Sequence, residues 1–133
     1  MRRQVSMFMA AAALGALVGA APVTAAFAGP SGCSHQTTHF NQHSGGELHA
    51  IGAGDCSSAN YYRVLKLEIK QDISWQPDPV ALSASDAGWQ YYYTAAALGC
   101  DNGPRSGRYY GRTFFKDYTD YSDTSHIWFE NVC

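Results

Sequence analysis

"YYRVLKLEIKQDISW", Tyr61 to Trp75, carries the clearest structural signal in the chain. Counting by twos from Tyr61 gives Tyr61, Arg63, Leu65, Leu67, Ile69, Gln71, Ile73 and Trp75, and the positions between them from Lys66 onward give Lys66, Glu68, Lys70, Asp72 and Ser74. One apolar face and one charged face, repeating every two residues, is the pattern of a half-buried β-strand. A helix would scatter the four charges around its circumference. The stretch is longer than a usual strand, which predicts a bulge or bend near Gln71-Asp72.

The flanking segments repeat the theme. "WQPDPV" places Pro77 and Pro79 at an edge or in a turn, because proline cannot donate to a ladder. Asp86-Ala87-Gly88 reads as a turn, and "WQYYYTAAALGC" as a strand with Trp89, Tyr91 and Tyr93 on one face. "DNGPRSG" is a loop, "RYYGRTFF" and "SHIWFENVC" are strands, and the "KDYTDYSDTS" between them reads as solvated. Upstream, "THFNQH" and "ELHAIGA" flank Ser44-Gly45-Gly46 as a hairpin. No segment after the N-terminal region holds a helical period. Short strands separated by turn signals predict an all-β fold, an antiparallel sandwich or barrel of about six to eight strands.

The N-terminus reads differently. Arg2 and Arg3 precede an uncharged, alanine-rich run from Met7 to about Val23, and Ala26-Phe27-Ala28 fits a small-x-small cleavage site. Residues 1–28 are expected to be a cleaved signal peptide of the bacterial kind, with membrane contact only during export. Residues 29–133 would be a single secreted β domain. Losing Arg2 and Arg3 from nine basic residues leaves seven against eleven acidic ones, a net charge of −4. That balance disfavours nucleic acid as a partner, since phosphate contact needs clustered positive charge.

Four cysteines, Cys33, Cys56, Cys100 and Cys133, lie in the expected mature part. An even count in a small exported domain predicts disulfides. Pairing of sequence neighbours, Cys33–Cys56 and Cys100–Cys133, closes compact loops. No C-x-x-C spacing suggests zinc.

Four of the five histidines fall in "HQTTHFNQHSGGELH": His35, His39, His43 and His49. All four positions are odd, so an unbroken strand period would put them on one face, where converging imidazoles could hold a metal ion. The alternative is polar decoration of an exposed hairpin, and no cofactor motif is present. His126, in "TSHIWF", is the candidate for acid–base chemistry. A His followed by an aromatic strand and a terminal Cys is faintly similar to the end of small secreted microbial ribonucleases, which use a Glu, an Arg and a His on a sheet. The resemblance covers under ten residues, with no matching Glu–Arg segment and no helix to pack on the sheet. It implies His126 acting with a carboxylate (Glu47, Glu68 or Glu130) and one of Arg105, Arg108 or Arg112.

Aromatic content is the remaining feature. Tyr61-Tyr62, Tyr91-Tyr92-Tyr93 and Tyr109-Tyr110 would alternate across strands, leaving a ring of each set off the core. Exposed Tyr and Trp offer large contact area with little entropy to lose. The expected binding patch is Tyr92, Arg108, Tyr109, Tyr110 and Arg112. The reading that follows is non-catalytic binding of an extracellular protein or carbohydrate: an inhibitor, a recognition module or an envelope-associated protein. The alternatives are a hydrolase built on His126 and a metal-binding protein built on His35–His49.

Overall fold

The computed structural model describes residues 29–133, so the expected leader lies outside the described residues. Eight strands are formed there: β1 (Cys33–Gln42), β2 (Leu48–Cys56), β3 (Arg63–Asp72), β4 (Val80–Gly88), β5 (Tyr92–Gly99), β6 (Arg105–Phe115), β7 (Ser122–Asp123) and β8 (Ile127–Val132). They make two antiparallel sheets. One runs β8-β6-β3-β4, with the short β7 continuing the β8 edge of β6; the other runs β1-β2-β5.

The alternation that opened the chain's reading places the core. Leu65, Leu67 and Ile69 of β3 are fully buried, with Tyr109 and Phe115 of β6 beside them. Leu48 and Ala50 of β2 and Tyr93, Ala95 and Ala97 of β5 face them from the other sheet. Lys66, Glu68 and Lys70 alternate to the outside, as the period requires. Aromatic edges complete the packing: the Tyr93 and Phe115 rings meet at 90° with centroids 5.5 Å apart.

The sheets approach closely where β2 shows glycine to its partner. A Cβ on Gly54 would stand 2.9 Å from Phe115 Cζ and 3.1 Å from Leu65 Cδ1, inside contact distance. One residue pair further along, the fully buried Thr113 hydroxyl bonds Thr37 Oγ1 at 2.7 Å. Thr37 spends its own proton on the Ser122 carbonyl, so Thr113 is the donor. The buried Thr113 hydroxyl is thereby satisfied, across the two sheets.

Each disulfide closes one end. Cys33–Cys56 ties the start of β1 to the end of β2, and Cys100–Cys133 ties the end of β5 to the C-terminus. Both are the neighbour pairings expected, and each loop's constraint on the unfolded chain contributes about 3 kcal/mol. At the second end, Cys133 N–H donates to the Gly46 carbonyl, and Asp101 N–H to the Cys133 carbonyl. The terminus is locked against the β1–β2 hairpin.

Local details depart from the strand-by-strand expectation. β3 stops at Asp72, because Ser74-Trp75 forms a turn in which Trp75 takes φ 77°. The irregularity expected near Gln71-Asp72 sits instead across the ladder: Ile69 pairs Leu82 and Lys70 pairs Val80, leaving Ala81 as the extra residue of β4. β5 begins at Tyr92, so Trp89 and Tyr91 lie in the preceding turn rather than on a strand face with Tyr93. The acidic "KDYTDYSDTS" is not wholly solvated, since it supplies β7.

Gly54→Ala is expected to lower stability by about 1–3 kcal/mol through overpacking at the sheet interface. Ala53→Ser, one residue away and facing out, should change it by less than about 0.5 kcal/mol. Urea unfolding of both variants checks this; equal effects would contradict the placement of the interface.

Candidate functional site

At the Cys33–Cys56 end, three connections meet: residues 57–62 before β3, 89–91 before β5, and 116–118 after β6. Tyr61, Tyr62, Trp89, Tyr91, Tyr92 and Tyr118 are all exposed there. The chain has little choice. Residues 57–62 and 89–91 lie outside the regular strands, β4 ending at Gly88 rather than turning at Asp86-Ala87-Gly88. Tyr61, Tyr62, Trp89 and Tyr91 therefore leave the ladders before alternation could turn one of each pair inward, whereas Tyr92 faces out because Tyr93 beside it on β5 faces in. Tyr62 and Trp89 meet edge to face, centroids 6.1 Å apart. The Arg63 guanidinium lies 5.1 Å over the Tyr61 ring and donates to the Ser58 carbonyl at 3.1 Å. Tyr91 is fixed by its carbonyl, which accepts from Cys56 N–H at 2.7 Å.

Tyr61, Tyr62 and Tyr118 wall a cleft of about 830 Å³ together with Pro30, Ser31 and Val64, with Arg63, Lys116 and Asp117 adding charge; Trp89, Tyr91 and Tyr92 lie outside its lining. The volume falls in the range of small-ligand and side-chain sites, and rigid aromatic walls with a few polar groups are the usual composition of such sites. The sequence reading missed Tyr61, Tyr62 and Trp89 as site residues. The available signal was their position, next to turn formers at strand boundaries.

The five residues expected to form a binding patch are not brought together. Tyr109 is fully buried on the inner face of β6, its hydroxyl donating to Asp101 Oδ2 at 2.7 Å. Tyr110 points out, yet is covered: His126 stacks on its ring at 4.1 Å with planes 4° apart. Arg112 makes a bidentate pair with Asp123, 2.8 Å on both arms, which holds the guanidinium still more firmly protonated. Arg108 lies on the exposed side of β6, opposite Trp128. Tyr92 belongs to the other sheet, 73% exposed and opposite Asp55.

The four histidines do not share a face. β1 shifts register between Thr37 and His39, so Thr38 is an extra residue and the inward row passes from His35 and Thr37 to Phe40 and Gln42. His39, His43 and His49 turn outward, with only the His43 and His49 rings meeting, centroids 5.0 Å apart. His35 turns inward. Its Nδ1 sits 2.7 Å from Ser122 Oγ, its ring edge meets Phe115, and its Nε2 lies 3.4 Å from Asp120 Oδ2 without hydrogen-bond geometry. Among the described residues no group of three or more His, Cys, Asp or Glu side chains is placed to hold a metal ion.

His126 does find a carboxylate, though none of those expected. Its Nδ1 is 2.9 Å from Asp72 Oδ2. On the other side of the stacked ring, Tyr110 donates to Asp78 Oδ2 at 2.7 Å, and Asp78 Oδ1 accepts from Ile73 N–H at 3.1 Å. The Tyr110 hydrogen bond holds the Asp78 carboxyl below its ordinary range, against an opposing effect of burial. Asp72, His126, Tyr110 and Asp78 form a cross-strand brace that clamps the β3–β4 turn to β6. Neither main cleft is lined by His126.

Compared with protein-family models, with curated proteins and with solved structures, the chain matches none.

Two pH limits follow from these contacts. Burial, reinforced by Asp101 and Asp78 respectively, raises the Tyr109 and Tyr110 phenols well above the ordinary value. The raised groups keep their protons in the folded state while the unfolded state ionises, so stability is full below about pH 10 and is lost as pH rises further. In an ultraviolet titration at least two of the nine tyrosines should ionise only as the sheet signal collapses; reversible ionisation of all nine in the folded state would contradict it. Asp78 has the opposite sign. Its depressed value stabilises above about pH 4 and the contribution is lost on acidification, so Asp78→Asn should flatten the acid limb of the stability curve.

Proposed function

We propose that the protein is a secreted, non-catalytic binding domain that takes an extracellular protein or carbohydrate in its aromatic cleft. The observation that carries this reading is the cleft walled by three exposed tyrosines, Tyr61, Tyr62 and Tyr118, with Trp89 packed edge to face on Tyr62 and the exposed Tyr91 and Tyr92 at the same end of the sheets. A fold that only needed to cover its core would gain nothing by exposing rings of this size together. Tyrosine and tryptophan suit the task because each joins a broad apolar face to a polar tip and has few rotamers to freeze. Saccharides present the complementary combination, apolar C–H faces fringed by hydroxyls, and Ser31, Ser58, Arg63, Lys116 and Asp117 supply polar partners near the rings.

The two disulfides agree with an oxidising compartment. The leader-like N-terminus and the net negative charge of residues 29–133 favour export over nucleic-acid work. A second reading rests on the His126–Asp72 pair, a histidine oriented by a carboxylate as in general-base catalysis. Against it, the stacked Tyr110 ring covers one face of the imidazole, and Arg112 is already committed to Asp123.

Purified residues 29–133 should bind soluble chito-, cello- or xylo-oligosaccharides, or an extracellular protein, with quenching of tryptophan fluorescence. Tyr61→Ala/Tyr62→Ala should weaken that binding at least tenfold, and His126→Ala should leave it unchanged. The same preparation should leave RNA intact; sustained cleavage abolished by His126→Ala would replace the binding reading with the hydrolase.

A further inference from the structure

The end of the sheets opposite the cleft carries one exposed aromatic side chain of unusual presentation. Trp75 sits at the tip of the β3–β4 turn with its residue fully solvent-accessible, 101% relative exposure, and its backbone in the left-handed region at φ 77°. Bulky side chains seldom occupy that region, and they do so where the surroundings impose it. The surroundings here are rigid. Pro77 and Pro79 fix two φ angles, Asp78 Oδ1 closes the turn on Ile73 N–H, and Gln71 N–H donates to the Pro79 carbonyl at 3.0 Å. Tyr110 and His126 hold Asp78 and Asp72 from the adjoining strands. Among the described residues nothing packs on the indole, yet the turn is braced from both sides. A preorganised aromatic knob of this kind is suited to fill a pocket, because its ordering cost is already met in the free state.

The same strand that ends at this knob begins in the cleft. Arg63, the first residue of β3, lines the cleft; Asp72, its last, precedes the turn by one residue. Knob and cleft therefore lie about 30 Å apart, at opposite ends of the molecule. Their chemistries correspond. The cleft has aromatic and aliphatic walls from Tyr61, Tyr62, Val64 and Pro30, and room for an indole with part of its turn. Its rim holds two cations, Arg63 and Lys116, against one carboxylate, Asp117; the turn is flanked by Asp72 and Asp78, whose carboxylates are engaged within the fold by His126 and by Tyr110 and Ile73, with Lys70 near Asp78. No ion pair engages Lys116 among the described residues.

From this we infer that the cleft receives the Trp75 turn of a second copy of the chain, so that molecules join head to tail. This inference rests on the proposed reading of the cleft as a binding site and names one occupant for it. Because the two surfaces differ and lie at opposite ends, the contact is heterologous: it leaves a free knob at one end of every assembly and a free cleft at the other, and growth is open-ended. A single turn in a cleft buries less area than a standard stable interface, so association belongs in the range of about 10 µM to 1 mM. Another ligand of the cleft competes with it and shortens the assemblies.

Sedimentation velocity of residues 29–133 over that range tests the inference. The average mass should rise continuously with concentration without settling at a fixed stoichiometry. Trp75→Ala, which lacks the knob, and Tyr61→Ala/Tyr62→Ala, which lacks the cleft walls, should each remain monomeric. Mixed in equal amounts, they should form a dimer and nothing larger, because only one knob–cleft pair can be completed. Lys116→Glu should weaken assembly at low salt, and it serves as the cleft variant if the tyrosine pair cannot be produced folded. Wild-type protein that stays monomeric to about 1 mM, a Trp75→Ala variant that assembles like wild type, or a mixture that fails to dimerise would each overturn the proposal. Failure here is separable from failure of the cleft as a site: Trp75→Ala should still bind the oligosaccharide or protein ligand.

Discussion

The closeness of the two sheets is the constraint on which the rest depends. It is set where Gly52 and Gly54 on β2 face Thr113 and Phe115 on β6. With no side chain from β2 at these points, the Phe115 ring and the Thr113 hydroxyl reach across, and the threonine finds Thr37 on the other sheet. A small domain has a modest core, and loss of this approach would open a gap through its middle. The disulfides act at the two ends, Cys33–Cys56 across the last pair of the β1–β2 ladder and Cys100–Cys133 just past β5 and β8, where packing alone leaves the chain free to fray. Centre and ends are thus held by different means, which lets the loops at both ends carry large exposed rings without weakening the core.

That division of labour explains why the ends differ in character. At one end three connections gather exposed tyrosines and a tryptophan, and two of them, before β3 and after β6, wall a cleft. At the other, the Asp72–His126–Tyr110–Asp78 brace stiffens a single turn and presents one tryptophan. His126 has the geometry of an oriented base, but its neighbours use it as part of a structural clamp. The inward His35 likewise bonds Ser122 and fills space beside Phe115. Both of these histidines are held by packing and hydrogen bonds.

The strands were legible because their period is two and their faces differ sharply in polarity. Leu65, Leu67 and Ile69 against Lys66, Glu68 and Lys70 leave one answer, and the cysteine spacing left a preferred pairing that the fold adopts. Face assignments failed wherever a ladder is interrupted. The extra residue at Thr38 reverses the parity of β1 and separates His35 from His39, an event with no mark in composition. The same limit hid the site. By their sequence Tyr61, Tyr62 and Trp89 read as strand residues, whose neighbours must alternate; in the fold they belong to connections, where both of a pair can face water. Tyr109 and Tyr110 obey alternation, but burial of the outward ring depends on His126 arriving from sixteen residues further along the chain. Long-range cover of that sort is a property of the folded surface.

The central claim is that exposed rings at the two ends are the working surfaces and that those on the sheet faces are not. The three tryptophans report on it separately: Trp89 beside the cleft, Trp75 on the opposite turn, and Trp128 exposed on β8. Fluorine NMR of the 5-fluorotryptophan-labelled protein, followed from about 10 µM to 1 mM, distinguishes them across the expected range of association. The account predicts that the Trp75 and Trp89 resonances shift together as concentration rises while Trp128 stays fixed. A shift confined to Trp128, or three resonances that do not move over the whole range, would contradict it.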